Sequence, residues 1–165
     1  MVRAEGHQVP QLSDFYGQLN PRCDVLHSVA EHERLSSGKN IFFHETSCLG
    51  NSGYAGLSCR QACAVESAAL INTNMTVNLL FLDPSPQSYQ ASHLTTELVT
   101  HYHNVRVYRL LVREYMKDTP LQRWYTKEIL GSSSWPTNHM SDILRYLTLW
   151  KFGGIYMDLD VIVIR

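Results

Sequence analysis

Short apolar runs alternate with amphipathic stretches from residue 41 to the end of the chain. Ile41–Phe43 and Val77–Leu82 predict buried strands, and the apolar–polar alternation of 105–108 predicts a third. Ser58 predicts the N-cap of a first helix, and a second helix is predicted over about 91–102. The apolar stripe of the first helix comprises Ala62, Val65, Ala69 and Leu70. Strands that alternate with helices predict an α/β domain with a mostly parallel sheet.

The richest local pattern lies between Ser141 and Asp160. Ser141 predicts the N-cap of a helix with Asp142 in its first turn, where a carboxylate favours the helix dipole. Gly153–Gly154 predicts the end of that helix, because glycine accepts a positive φ. Ile155–Met157 is then predicted to run as a strand into the sequence Asp-Leu-Asp. The residues expected to pack this helix on the sheet are Ile143, Leu147 and Trp150.

Polar residues follow two of the predicted strands, where ligands of parallel sheets bind. Asp158 and Asp160 are two residues apart, and on extended backbone they point the same way. Such a pair offers hard oxygen ligands to Mg²⁺ or Mn²⁺, although a solvent-facing acidic loop has the same pattern. Asp142 and Arg145 share a helix face apart from the apolar stripe, which also suits a surface ion pair. The other polar cluster is His44–Ser47.

Taken together, the Ser-Asp-x-x-Arg-Tyr helix, the Lys-Phe-Gly-Gly-Ile-Tyr segment and Asp-x-Asp resemble the donor-site signature of DXD-type sugar transferases. The resemblance is to the α-1,4-galactosyltransferase and α-1,4-N-acetylglucosaminyltransferase family, and it covers about residues 41–165. It implies a GT-A fold, a UDP-sugar donor, and a divalent cation, Mn²⁺ or Mg²⁺. It also implies a retaining transfer to a galactose-ended glycan or glycolipid, on the luminal side of the Golgi membrane. The other segments that carry it are Ile41–Ser47, Cys63–Ala69, Asp118–Leu121 and Trp124–Tyr125.

The same resemblance implies roles for individual residues, but it names no catalytic residue. Asp158 and Asp160 would hold the metal and the diphosphate of the donor. Asp142 and Arg145 would hydrogen-bond the sugar hydroxyls and the ribose, a task suited to charged groups that bind bidentately. The remaining residues that we expect to bind the donor are His44, Glu45, Thr46 and Tyr156.

Length and composition limit the classes of protein that remain. The 165 residues suit one domain, and the hydrophobic fraction of 44% suits a globular chain. A net charge of −1 excludes a wholesale polyanion binder, so we expect no nucleic-acid partner. No apolar run is long enough to predict a membrane span. Residues 1–40 are polar and aperiodic and are predicted to form a loosely ordered arm, with the nucleotide-sugar-binding half-domain over 41–165.

The order of the motifs predicts that the chain is incomplete. In the resembling family the pattern continues beyond the Asp-x-Asp motif, and an N-terminal anchor holds the enzyme in the membrane. We therefore expect a fragment, a truncated isoform or an incomplete gene model, with little activity alone. Val161–Ile164 is predicted to be a strand that lacks a partner. The alternatives are a non-catalytic remnant of a transferase or, from the likeness of Tyr156–Ile162 to its motif, a haloacid-dehalogenase-type phosphatase.

Two features bear on the compartment. Asn74-Met75-Thr76 is an acceptor sequence for N-glycosylation, which matters only in the secretory lumen. The four cysteines allow three pairings in an oxidising compartment and remain thiols in a reducing one. We favour Cys48 with Cys63, because Cys48 follows a strand and Cys63 begins the buried stretch expected of the next helix.

Overall fold

The computed structural model describes residues 35, 38–46, 56–82, 93–126 and 133–164. These ranges contain four strands and five helices. No helix within them is long and apolar enough to cross a membrane. In chain order the elements are β1 (Asn40–Glu45), α1 (Cys59–Ile71), β2 (Thr76–Leu82), α2 (His93–His101), β3 (Val105–Leu110), α3 (Val112–Met116), α4 (Gln122–Thr126), α5 (Pro136–Phe152) and β4 (Ile155–Tyr156).

The four strands form one parallel sheet in the order β3-β2-β1-β4. The chain moves from β1 outward through β2 to β3, and then returns to add β4 on the opposite side of β1. Right-handed crossovers in opposite directions place their helices on opposite faces of a sheet. The predicted α/β class with a parallel sheet is confirmed.

Apolar side chains cover both faces of the sheet, because alternate strand residues point to opposite sides. One face packs against α1 and α2, and the other against α3 and α5. The strand residues of the first face include Ile41, Phe43, Val77, Leu79 and Phe81. Those of the second face include Phe42, Leu80, Leu82, Tyr108 and Leu110. The interior strands therefore read as continuous apolar runs rather than as an alternation.

Strand β1 is longer than its apolar run predicts. Every one of its six residues is buried, including Asn40 at the start and His44 and Glu45 at the end. The boundary predicted between an arm and a domain at residue 40 thus falls inside a strand. Leu35, from the predicted arm, is buried in the cluster that faces α5. The remainder of the arm, apart from 38–40, lies outside the described residues.

Helix α1 begins where its capping residue predicts. The Ser58 hydroxyl accepts from the Gln61 amide at 3.3 Å, and the Gln61 side chain accepts from the Ser58 amide at 2.8 Å. This reciprocal pair satisfies two amide groups of the first turn. Ala62, Val65 and Ala69 of the predicted stripe are buried, but Leu70 is 60% exposed. The buried stripe instead includes Ala68, which lies one turn after Ala64.

Helix α5 begins earlier than predicted. Pro136 opens it, and Ser141 lies in its interior, so the prediction that Ser141 caps the helix is wrong. Proline suits a first helical turn, because the amide that it lacks would have no partner there. The stripe packed on the sheet is Met140, Leu144 and Leu147. Trp150, predicted to belong to that stripe, is 61% exposed.

Two glycines end α5 and admit β4 to the sheet. Gly153 has a φ of +63° and Gly154 a φ of +85°, which confirms the predicted helix end. A Cβ atom on Gly154 would lie 2.5 Å from the Asn40 carbonyl oxygen, whereas one on Gly153 would meet nothing within 4 Å. Beyond them, Ile155 pairs with Ile41 and Tyr156 with Phe42. Gly154 is therefore required where the backbone of the incoming strand passes β1.

One further prediction differs from the structure. Residues 161–164 form no strand. The Val163 amide donates instead to the Ser67 hydroxyl of α1 at 3.0 Å. The segment after β4 is thus held by a side chain rather than by a strand ladder.

Candidate functional site

The candidate site lies at the carboxyl ends of β1 and β4. All strands are parallel, so these ends share one edge of the sheet. The strand order also reverses between β1 and β4, since β2 and β3 lie on the other side of β1. A crevice for a ligand forms at such a reversal in open α/β sheets. His44 and Glu45 end β1, and Asp158 follows β4 by two residues.

Helix α5 brings Arg145 between two carboxylates. Arg145 Nη2 lies 3.2 Å from Asp142 Oδ1, one helical turn away, and 3.4 Å from Asp158 Oδ1 beyond β4. The Arg145 side chain is 29% exposed, whereas both acids are more open to solvent. The sequence predicts the first of these ion pairs. The second appears only when α5 is packed beside β4.

Tyr156, at the end of β4, contacts both Asp158 and Arg145. Its hydroxyl donates to Asp158 Oδ1 at 3.1 Å, and the Arg145 guanidinium lies 5.0 Å from the centre of its ring. Burial, aided by the negative charge of Asp158, raises the pKa of Tyr156 to about 12. The hydroxyl therefore keeps its proton at neutral pH and remains a donor to the carboxylate.

A buried polar chain lies directly behind Tyr156. His44 Nε2 is 3.0 Å from the Thr148 hydroxyl, which is 2.8 Å from the Tyr115 hydroxyl. The His44 ring meets the Tyr156 ring edge-on at 5.1 Å between centres. Burial, with a smaller effect of the Arg145 charge, lowers the pKa of His44 to about 3. A neutral imidazole can be hydrogen-bonded in this interior, whereas an imidazolium would lack its water.

Sequence reasoning did not identify Thr148 or Tyr115. Thr148 is fully buried and follows Leu147 in the face of α5 that packs on the sheet. A hydroxyl group that is buried among apolar residues needs a hydrogen-bond partner. The position of Thr148 beside the apolar stripe of α5 was therefore the signal in the sequence that could have identified it. Nothing in the sequence around Tyr115 marks it for this role. Its partner lies 33 residues away in the chain.

The predicted donor-binding residues of β1 divide between the two sides of the sheet. His44 faces α5, whereas Glu45 faces α1 and accepts a hydrogen bond from the Gln61 side chain. Successive residues of a strand point to opposite faces, so this division follows from the extension of β1 through Glu45. Thr46 comes directly after the strand and is partly exposed. Ser47 lies outside the described residues.

The two aspartates of the Asp-x-Asp sequence lie in a turn and not on extended backbone. The Val161 amide donates to the Asp158 carbonyl at 3.1 Å, which bends the chain after β4. Asp158 and Asp160 are both exposed. The described residues hold no group of three or more metal-ligating side chains. Two open carboxylates nevertheless fit a hard cation that takes its other ligands from water and phosphate.

Of the predicted modification sites, Asn74 lies at the opposite edge of the sheet, because it precedes the parallel strand β2. Asn74 is exposed in the turn between α1 and β2. Cys63 is also exposed, although Ala62, Ala64 and Val65 beside it are buried. Cys48 lies outside the described residues, and the pairing of Cys48 with Cys63 stays a prediction.

Comparison with known proteins identifies related sequences. The family model described as "Glycosyltransferase sugar-binding region containing DXD motif" matches residues 58–165. Lactosylceramide 4-alpha-galactosyltransferase of Mus musculus is 35% identical over 80% of this chain and 36% of its own length. The Homo sapiens enzyme of that name is 35% identical over 76% of this chain and 35% of its own. Alpha-1,4-N-acetylglucosaminyltransferase of Homo sapiens is 36% identical over 63% of this chain and 32% of its own.

The structure also has a solved relative. PaToxG glycosyltransferase superposes with a TM-score of 0.50 and 22% identity, and the match covers 75% of this chain and 42% of that one. This likeness supports the GT-A-type fold. The present chain spans about a third of the length of the curated relatives that it matches. The matching family is one of sugar transferases, which favours that prediction over the dehalogenase-type phosphatase.

Proposed function

This chain belongs to the family of glycosyltransferases whose sugar-binding region contains a DXD motif, and from that membership we propose a specific activity. The protein moves a hexose from a UDP-sugar to a glycan or glycolipid acceptor, with a divalent cation and with retention of the anomeric configuration. The matched residues carry the donor-binding part of this activity. The names of the relatives favour galactose or N-acetylglucosamine as the sugar.

The observation that carries the proposal is the convergence of Asp142, Arg145 and Asp158 at the carboxyl edge of the sheet. Residues from one helix and from the segment after β4 meet within 3.4 Å at the reversal of strand order. A sugar presents several hydroxyl groups that both donate and accept hydrogen bonds. Carboxylates and a guanidinium bind such groups with charge-assisted bonds, and they fix the orientation of a ring that has no charge of its own. We assign Asp142 and Arg145 to the sugar and the ribose.

Asp158 and Asp160 are the residues that would hold the cation. Mn²⁺ or Mg²⁺ bound there would neutralise the diphosphate, the leaving group of the transfer. The hydrogen bond from Tyr156 and the ion pair from Arg145 both fall on Oδ1 of Asp158. A cation bound by Asp158 through a single oxygen would need only Oδ2. The protonated Tyr156 hydroxyl thus orients the Asp158 carboxylate, which would be a ligand of the cation.

The nucleoside is assigned to the end of β1. His44 lies on the same side of the sheet as Arg145 and Tyr156, and its Nδ1 is buried with no hydrogen-bond partner among the described residues. Thr46 follows at the open edge. The Glu45 side chain points to the opposite face of the sheet, where it accepts from Gln61. We therefore assign only the backbone of Glu45, which continues from His44, to the nucleoside.

The acceptor and the compartment follow from the relatives by analogy. Enzymes named for lactosylceramide act on a galactose-ended glycolipid, and we propose an acceptor of that class. By the same analogy, we propose that the enzyme acts in the Golgi lumen and is attached to the membrane. The exposed Asn74 turn suits a glycosylated luminal protein.

A calorimetric titration tests the donor site directly. The 165-residue chain is titrated with UDP in the presence and absence of Mn²⁺. We expect binding that depends on Mn²⁺ and that weakens at least tenfold in Asp158→Asn and in Asp160→Asn, since each loses a charged ligand. Glu114→Gln, which removes an exposed charge from α3, serves as the control and keeps the affinity.

The alternatives predict other results. A non-catalytic remnant binds no UDP with or without the cation. A phosphatase binds Mg²⁺ through the same aspartates but ignores UDP. UDP binding that is equal in the wild-type chain and both aspartate variants contradicts the assignment of the cation site.

A further inference from the structure

We infer that Arg145 acts as a built-in counter-cation at Asp158, which weakens binding of a divalent cation alone and makes its tight binding depend on a diphosphate. This inference rests on the proposed function. It assigns to Arg145 a role in the order of assembly of the donor site, in addition to its contact with the donor. The evidence is the placement of the guanidinium between the two carboxylates.

The guanidinium is confined to this position by three contacts. It lies over the Tyr156 ring at 5.0 Å and between Asp142 and Asp158, and its side chain is more buried than either acid. The guanidinium group carries one positive charge, delocalised over its plane. A fixed positive charge therefore lies beside the carboxylate that we assign to the metal.

The two ion pairs of Arg145 are longer than charge-assisted hydrogen bonds of full strength. Both ion pairs use one nitrogen, Nη2, at 3.2 Å from Asp142 and 3.4 Å from Asp158. Charge-assisted hydrogen bonds of full strength are shorter, at about 2.7–2.9 Å. Because one nitrogen is shared by two acids, neither carboxylate is saturated. Asp142 can keep the guanidinium when Asp158 turns to another cation.

Coulomb's law then sets the effect on the cation. A divalent ion at Asp158 would be repelled by the neighbouring guanidinium, and at contact distances in a water-like dielectric this repulsion weakens binding about tenfold. A diphosphate reverses the effect, because its negative charges attract the cation and the guanidinium together. The cation and the nucleotide are then expected to bind as a cooperative pair.

The test measures Mn²⁺ binding by the loss of the electron paramagnetic resonance signal of free Mn²⁺. It uses the 165-residue chain and its Arg145→Gln and Arg145→Met variants, with and without UDP. Arg145→Met keeps an unbranched apolar side chain beside Tyr156 and so guards against a folding defect. Arg145→Lys keeps the charge, and Arg113→Gln removes one from the exposed surface of α3. Circular dichroism checks that each variant is folded.

Without UDP, we expect Mn²⁺ to bind about tenfold more tightly to Arg145→Gln and Arg145→Met than to the wild-type chain. Arg145→Lys and Arg113→Gln should match the wild type. With UDP, the advantage of the uncharged variants should vanish, because they lack the positive charge that the diphosphate attracts.

Equal or weaker Mn²⁺ binding by both uncharged variants, in the absence of UDP, would overturn the inference. If the wild-type chain still shows UDP binding that depends on Mn²⁺ and on Asp158, the proposed function survives that result. If the wild-type chain shows no such UDP binding, the proposed function fails and the inference fails with it.

Discussion

At the scale of single residues, His44 shows how position overrides side-chain type. A histidine at the surface titrates near neutral pH, but His44 is buried at the end of β1 and bonded to Thr148. Its burial, more than the charge of Arg145, lowers the pKa of His44 from 6.5 to about 3. The imidazole therefore belongs to the hydrogen-bonded interior and not to the acid–base chemistry of a solvated site.

Because burial disfavours the charged imidazole, the free energy of unfolding depends on pH. Above pH 6.5, His44 is neutral in the folded and the unfolded chain. Below pH 6.5, His44 of the unfolded chain binds a proton, whereas in the folded chain the pKa of His44 is about 3 and the imidazole stays neutral. Stability is therefore lost as the pH falls from 6.5 toward 3. The loss from His44 at pH 5 is about 2 kcal/mol relative to pH 7.

We predict that His44→Gln removes this part of the pH dependence. Urea unfolding at pH 7 and pH 5 should show a difference smaller by about 2 kcal/mol in the variant than in the wild type. His103→Gln, which replaces an exposed histidine, is the control and should leave the difference unchanged. The same loss of stability in His44→Gln and in the wild type would show that another group is responsible.

At the scale of elements, the junction between α5 and β4 positions the candidate site. The helix carries Asp142 and Arg145, and the strand leads to Asp158, so the turn between them sets the distance across which the ion pair forms. Two consecutive glycines make this turn, and only one of them faces a neighbouring backbone. Their replacement separates the effect of φ from the effect of a close contact.

We expect Gly154→Ala to destabilise the protein more than Gly153→Ala. Both substitutions force a Cβ atom into a positive φ, which costs about 1 kcal/mol each. Only the Cβ atom at 154 would also collide with the Asn40 carbonyl, which adds about 1–3 kcal/mol or displaces β4. Urea unfolding measures the two differences. Equal destabilisation by both would show that β4 moves aside freely.

At the scale of the whole molecule, the segment after β4 contacts the helices on both faces of the sheet. Met157, Leu159 and Val163 pack against the cluster beneath α1, while Asp158 remains with α5 on the other face. The Ser67 hydroxyl donates to the Ala64 carbonyl and accepts from the Val163 amide. This contact between residues 96 positions apart anchors the turn that carries both aspartates.

We predict that Ser67→Ala frees this segment without unfolding the domain. Loss of one hydrogen bond of about 1 kcal/mol should speed hydrogen exchange at the Val163 amide about fivefold. Thr100→Ala is the matched control, because the Thr100 hydroxyl also donates to a carbonyl of its own helix and the residue is exposed. Unchanged exchange at Val163 in Ser67→Ala would mean that apolar packing alone holds the segment.

Features that depend on near neighbours were predictable from the sequence. Ser58 caps α1, the Gly153–Gly154 pair ends α5, and the apolar runs form strands. Each of these follows from the conformations and hydrogen bonds available within a few residues of chain. The position of the Asp-x-Asp sequence directly after a strand was predicted for the same reason.

Features that depend on distant neighbours were not predictable. Helix α5 packs on the sheet through Met140, Leu144 and Leu147, and Trp150 is left 61% exposed, although its spacing placed it in the predicted stripe.

By itself, then, the sequence determined the order of elements and the chemical groups at the strand ends, because local propensity and spacing act over a few residues. Only the tertiary structure decided that Arg145 lies between Asp142 and Asp158, and that His44 and Glu45 part to opposite faces. The reason is that a side chain's charge, accessibility and partners come from the elements packed against it, and these lie far away in the chain.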